Sequence, residues 1–363
     1  MKNKIKGNIV TDENSFYGEI EFNDEIINIT KVSKIKENEN WILPGFIDLH
    51  VHGGGGSDIM EGELAIRNML TCHAKNGTTS LLATTLTDTP EKLNNIFQSI
   101  ASVMNAPARG EAQIIGVHLE GPFISPDKLG AQPAFSRAFD LEEVLSLHEI
   151  APIKIITLAP ESNISYSEVV ALKKKNILLQ IGHSNADYET SKEFIENKAD
   201  SVTHVFNAMS GFHHRAPGLT GASLAHAQCA ELIPDLLHVH PGAIKVALRS
   251  IPKLYFVTDA TAACGMPDGT YRLGAHEVNK CGNGIRLVDG TLAGSSLTMI
   301  QALKNILSLD LSIVESSKRL SYIQAHLLGA SDRGCLKIGN RADILVIDDS
   351  YDLLDVYLKG RSL

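Results

Sequence analysis

From Ile42 onward, short apolar runs alternate with longer stretches whose apolar residues recur at helical spacing, the pattern of β/α units laid around a parallel sheet. Eight runs predict strands: Phe46–His52, Thr79–Thr84, Ile114–Glu120, Lys154–Ala159, Ile177–His183, Val202–Asn207, Cys229–Pro234 and Leu254–Asp259. Eight parallel strands are the number that closes a barrel. The stretches Gly62–Lys75, Glu91–Met104, Ser165–Lys175, Asp187–Asn197 and Gly242–Ser250 predict helices long enough to pack on a barrel wall. Before Ile42 the periodicity is two, as in Tyr17-Gly-Glu-Ile-Glu-Phe22, with turn residues at Asn23-Asp24. After two further helices, about Leu297–Leu309 and Ser312–Gly329, the tail Gly334–Leu363 returns to β character at Ile344-Leu-Val-Ile347 and Tyr357-Leu358. The economical arrangement is an α/β chain with a barrel over residues 44–333 and one small β domain built from residues 1–43 and 334–363.

Composition narrows the function classes. With 363 residues, 44% apolar and 21% charged, the chain can bury a large core. No apolar run approaches the roughly 20 residues that span a bilayer, and the start MKNKIKGNIV lacks the apolar stretch of a secretory signal, so cytoplasmic residence and no membrane partner are expected. The five cysteines are scattered without a Cys-x-x-Cys pair, which indicates neither a disulfide framework nor a thiolate zinc site and predicts small buried side chains. A net charge of −9 argues against a nucleic-acid partner, and an anionic small substrate would need a local cluster of basic groups.

The candidate chemistry sits at predicted strand ends. In Asp48-Leu-His50-Val-His52 the two-residue repeat puts both imidazoles on one face, and Gly53–Gly56 lets backbone pass close above them. An isolated His-x-His reads as ordinary surface or core histidines; its place at a strand end before four glycines favours a metal grip. His118 and Glu120 share the face opposite Val117 and Leu119, and a carboxylate buried there is costly unless paired or bound to a cation. Two more strands end in His183 and His204. One glutamate and two histidines from separate strand ends form a common ligand set for Zn²⁺ or Fe²⁺ with an open position for water. Asp259, closing the eighth strand, is placed to act as general base beside such a water. In a closed barrel all these strand ends open onto one face.

Together, Pro44-Gly-Phe-Ile-Asp-Leu-His-Val-His-Gly53, His118-Leu-Glu-Gly-Pro-Phe123, Gly182-His-Ser184 and Val257-Thr-Asp-Ala260 resemble the amidohydrolase superfamily. The stretch Phe206-Asn-Ala-Met209 through Arg215-Ala-Pro-Gly-Leu-Thr-Gly221 narrows the resemblance to the N-acetylglucosamine-6-phosphate deacetylase family, over almost the whole chain. The resemblance implies a TIM-type (β/α)8 barrel with a small β-sandwich, working as a homodimer on an amino-sugar phosphate. It implies a divalent metal, Zn or Fe, held by Glu120, His183 and His204, with Asp259 as acid/base. It places Ala131, Gln132, Asn207, Ala208, His238, Leu292, Ala293 and Gly294 against the substrate, and sends Arg215 to the phosphate in the neighbouring subunit's site. Arg215 with His213, His214 and His238 would supply the positive charge that the chain otherwise lacks.

Two departures from the family pattern stand out. Some members replace His-x-His and carry one metal, whereas His50 and His52 are kept here, which leaves one ion or two open. Many carry a histidine where this chain has Gln132, whose NH₂ group can donate to an amide carbonyl or sugar hydroxyl but carries no charge. The galacto epimer of the sugar phosphate, and more remotely another N-acyl or cyclic amide, are the alternative substrates.

Overall fold

A computed structural model describes residues 2–274, 276–282 and 284–363. Six of the expected strands form one parallel sheet in chain order: Phe46–Val51, Thr78–Thr85, Gln113–Glu120, Ile153–Leu158, Leu178–Ile181 and Ser201–Val202. The remaining two, Cys229–Leu232 and Lys253–Phe256, pair with each other in parallel. Backbone hydrogen bonds join the two ladders on both sides. The Val205 N–H donates to the Glu231 carbonyl at 2.9 Å, and the Asp259 N–H to the His50 carbonyl at 2.9 Å. The predicted eight-stranded barrel therefore closes, with irregular backbone at the ends of the sixth and eighth strands.

Burial on both faces explains why these strands read as near-continuous apolar or β-branched runs; Thr78–Thr85 is buried throughout. Alternation sends Leu49 and Val51 outward into the layer beneath the helices and Asp48, His50 and His52 into the barrel mouth. The surrounding helices start where the sequence signals them. Thr89 caps Pro90–Asn105 by accepting the Lys92 N–H, with proline in the first turn. Ser165 and Glu168 close a reciprocal capping box at the start of Tyr166–Lys174.

The chain ends meet in one seven-stranded sheet that runs, in order, Arg361–Ser362, Leu353–Leu358, Ile344–Ile347, Trp41–Pro44, Asn3–Val10, Ser15–Phe22 and Ile26–Ser33. The sandwich is this single sheet curled on itself. Phe22 and Tyr357, from strands well separated in that order, meet edge to face at 5.1 Å over a cluster containing Ile9, Ile20, Ile42 and Ile344.

Two features differ from or add to the sequence expectation. A three-stranded antiparallel sheet, Gly269–Leu273, His276–Cys281 and Gly284–Arg286, follows the eighth barrel strand; its strands are short and largely polar, which hid them. Of the cysteines, only Cys229 and Cys264 are buried, Cys72 and Cys335 are half-buried, and Cys281 is exposed at the end of that sheet's central strand. Among the described residues no helix is long and apolar enough to cross a membrane.

Candidate functional site

The polar strand ends converge at the barrel mouth. Nε2 of His183 and Nε2 of His204 lie 3.1 and 3.2 Å from the same oxygen of Glu120, Oε1, and 3.1 Å from each other. On the other side, Nε2 of His52 lies 3.1 Å from Glu120 Oε2 and 3.3 Å from Asp259 Oδ1. His50 Nε2 completes the cluster, 3.1 Å from His52 Nε2 and 3.3 Å from Glu120 Oε1. Glu120 stands between a Glu120–His183–His204 group and a His50–His52–Asp259 group, and all five residues other than Glu120 reach it or each other through one inward-facing atom.

The outward nitrogens show what the inward ones offer. His183 Nδ1 faces the Lys128 carbonyl at 2.8 Å, His52 Nδ1 faces the Thr84 carbonyl at 3.1 Å, and His50 Nδ1 faces the Glu231 carboxylate at 2.6 Å. Each partner only accepts, so each Nδ1 carries the proton and each Nε2 of a neutral ring presents a lone pair toward Glu120 and Asp259. Lone pairs facing carboxylate oxygens at about 3 Å repel unless positive charge fills the space between them. The proton equilibria express the same demand. Burial alone would lower His52, but Asp259 and Glu120 hold its pKa up at about 9. Burial alone would raise Asp259, but His50 and His52 hold it down at about 2. A divalent cation satisfies this donor set, and its arrival would displace protons.

Backbone strain sits at the same residues. His183, His204 and Asp259 have φ of 47°, 23° and 50°, a region that non-glycine residues visit at a cost of about 1–3 kcal/mol each. Such strain persists only where the surroundings impose it, and here it turns three strand ends sharply so their side chains aim into the mouth. After His52, Gly55 and Gly56, at φ of 63° and 83°, fold the chain back under Cys264 and Ala262 through backbone hydrogen bonds of 2.8 Å each.

A cavity of about 210 Å³ opens over the cluster. Of the residues expected to meet substrate, Ala131, Gln132, Asn207, Ala208, His238, Leu292 and Gly294 line it beside His52, Glu120, His183, His204 and Asp259. His50 lies beneath the cavity floor, fully buried, and Ala293 packs into the core between its two lining neighbours. Arg215 is exposed, does not line this chain's cavity, and hydrogen-bonds His214 at 2.9 Å. His238 is held by Asp235, whose Oδ2 lies 2.6 Å from Nδ1; burial alone would lower its pKa, but this carboxylate raises it, favouring the protonated ring at the cavity wall.

Sequence reasoning missed several members. Leu86, Leu273 and Thr291 line the cavity, the first after the second strand and the others from the added sheet and its following loop. Glu231, fully buried on the seventh strand, was also unforeseen; its only signal is a charged residue inside the apolar run Cys229–Leu232. His118 shares a second His–Glu grouping with His50 and Glu231, but both its nitrogens are engaged, by the Leu49 carbonyl at 3.0 Å and Thr157 Oγ1 at 2.7 Å. That grouping braces the barrel interior.

Comparison with known proteins agrees with this geometry. The amidohydrolase family model matches residues 41–363. The N-acetylglucosamine-6-phosphate deacetylase of Lysinibacillus sphaericus is 36% identical over 340 residues, covering 91% of this chain and 87% of the relative. The N-acetylgalactosamine-6-phosphate deacetylase of Escherichia coli O157:H7 is 32% identical over 338 residues, covering 91% and 89%. Among solved structures, a mutant N-acetyl-D-glucosamine-6-phosphate deacetylase from Mycobacterium smegmatis in complex with N-acetyl-D-glucosamine-6-phosphate superposes with a TM-score of 0.92 at 26% identity, covering 99% of each chain. With a family model spanning most of its length and relatives above 30% identity along nine-tenths of it, this chain belongs to the amidohydrolase family.

Proposed function

We infer that this protein hydrolyses the acetamide of N-acetylglucosamine 6-phosphate to glucosamine 6-phosphate and acetate. The observation that carries this reading is the convergence of Glu120, His183 and His204 on one point beneath a cavity whose wall holds Asp259. The deacetylase relatives along nearly the whole chain supply the substrate class.

Glu120, His183 and His204 would hold a divalent ion, Zn or Fe by the donor set, and His50 and His52 with Asp259 would hold a second. Such an ion supplies Lewis acidity toward the amide carbonyl and lowers the pKa of water. The chain's own residues do the rest. Asp259, held ionised by its histidine neighbours, accepts a proton from the attacking water as the new C–O bond forms. As the C–N bond breaks, the same carboxyl returns that proton to the departing amine. Asn207, Ala208 and His238, with Ala131, Gln132, Leu292 and Gly294, bound the space for the sugar phosphate.

His238, on the cavity wall outside the ligand cluster, is by itself a weak match for a phosphate dianion. Arg215 does not line its own cavity, and we assign it to the phosphate of a neighbouring subunit in a homodimer. A phosphate dianion does not cross a membrane unaided, so enzyme and substrate must share a compartment, and we assign both to the cytoplasm.

Acetate release by metal-replete protein tests the reading, with N-acetylglucosamine 6-phosphate run beside its galacto epimer and unphosphorylated N-acetylglucosamine. Preference for the gluco phosphate is the expected result. Preference for the epimer, which the Escherichia coli relative's own specificity favours, would keep the chemistry and change the substrate. Silence on all three overturns it.

A further inference from the structure

Glu231 is a fully buried carboxylate at the bottom of the site that no step above uses, and it touches both halves of the metal cage. Its Oε1 accepts the Nδ1–H of His50 at 2.6 Å and also the backbone N–H of His204 at 3.2 Å. Its Oε2 lies 3.2 Å from the hydroxyl of Tyr255. Gln180 Nε2 donates to that same hydroxyl at 2.7 Å, so the tyrosine's own proton is directed to Glu231. Among the described residues three donors and no acceptor face the group, as an ionised carboxylate requires. Glu231, Tyr255 and Gln180 are all fully buried. Charge buried that deeply is retained at a cost unless the surroundings use it.

The two contacts do different things. At His50 the carboxylate fixes the ring's tautomer and raises the donor strength of Nε2, the atom that faces His52 and Glu120. At His204 it holds a backbone N–H at a residue with φ of 23°, whose ring nitrogen Nδ1 has no hydrogen-bond partner among the described residues. His183 and His52 are oriented through their outer ring nitrogens by carbonyls; His204 is oriented from its backbone instead.

We propose that Glu231 is a shared positioning residue that sets the metal affinity of both ligand groups, acting through the His50 ring and the His204 backbone. This rests on the metal-dependent reading above. Wild-type, Glu231→Gln and Tyr255→Phe proteins would be stripped of metal and titrated with Zn²⁺ against a chromophoric chelator, with far-UV circular dichroism and thermal melting of each apoprotein as folding controls. Gln keeps an acceptor for His50 but loses the charge, and a loss of tenfold or more in Zn²⁺ affinity is expected, within the roughly 10–100-fold range for such partners. Tyr255→Phe keeps the charge and both ligand contacts and should bind nearly as wild type. Wild-type affinity in a folded Glu231→Gln protein overturns the proposal alone, whereas failure of the wild type to bind Zn²⁺ overturns the metal reading with it. Should Glu231→Gln not fold, ¹⁵N NMR of the histidine rings in the Zn²⁺-loaded wild type decides: a proton on His50 Nδ1 is expected, and a proton on Nε2 overturns the proposal.

Discussion

The carboxamide of Gln132 spans Glu120 and Thr87: its Nε2 donates to Glu120 Oε2 at 2.5 Å, and its Oε1 accepts the backbone N–H of Thr87 at 2.7 Å. The side chain expected to serve the substrate's carbonyl or a sugar hydroxyl thus spends both ends of its amide on the protein, while its flank still lines the cavity. Gln132→Ala should leave the Thr87 N–H without its acceptor and Glu120 without its brace, destabilising the fold by about 1–3 kcal/mol and lowering kcat. Urea unfolding and steady-state kinetics on the metal-replete variant would check this. Wild-type values in both would remove Gln132 from the account of the site.

Asp259→Asn should leave the divalent ion bound at Glu120, His183 and His204 while turnover falls by roughly 10²–10⁴-fold, the range for loss of a general acid–base group. Metal content by mass spectrometry beside the acetate assay separates the two effects. Activity within tenfold of wild type would reassign the proton carrier.

How much of this was legible beforehand depends on whether a residue's signal lies in its own strand. His50, His52, Glu120, His183, His204 and Asp259 each close a predicted strand, and period-two alternation plus barrel geometry brings such ends together without knowledge of any contact. Glu231 is mid-strand, and its partners on other strands are separated from it by up to 181 positions; nothing local says that it faces His50. The curled terminal sheet was legible as β segments from both ends, but Phe22 meeting Tyr357 is a fact of closure that alternation does not encode. Leu273 belongs to, and Thr291 follows, an added sheet of short polar strands with no apolar stripe to announce it.

Gly294 has φ of 64°, and a Cβ there would lie 2.5 Å from Thr261 Cγ2 and 3.1 Å from the Asp259 carbonyl oxygen. Alanine pays roughly 1–2 kcal/mol for the left-handed backbone and also pushes on the loop that carries the proposed base. Gly294→Ala should therefore lower kcat by more than its loss of stability explains, with KM moving less. Equal activity at saturating substrate would show that this loop tolerates the shift.

Arg215 offers a separable test of the phosphate assignment. Arg215→Ala should raise KM for the phosphorylated substrate by at least tenfold with little change in kcat, the pattern for loss of binding that is equal in ground and transition states. Any turnover of unphosphorylated N-acetylglucosamine should not change. A lowered rate on both substrates would place Arg215 in the fold or the subunit contact instead.

Cys72 stands on the helix Glu63–Lys75, packed against the glycine loop that follows His52: a Cβ at Gly55 would meet its Cβ at 3.1 Å, and one at Gly265 its Sγ at 2.8 Å. The neighbouring Cys264 holds the Cys72 thiol down at a pKa of about 7 against the opposing effect of burial. Burial instead pushes Cys229 up to about 11. The thiolate is the reactive form, so the rate of Cys72 alkylation should climb as pH rises through about 7 and then level off, while Cys229 stays inert across the same range. Peptide mapping after timed iodoacetamide exposure at several pH values would resolve the two sites. Because the added group would press on Gly55 and Gly265, modification should also slow deacetylation, and Cys72→Ser should abolish that sensitivity. If Cys229 were labelled as fast as Cys72 near pH 8, the contrast in their surroundings would not govern thiol reactivity; if labelled Cys72 left the rate untouched, the glycine loop would absorb the bulk without moving His52.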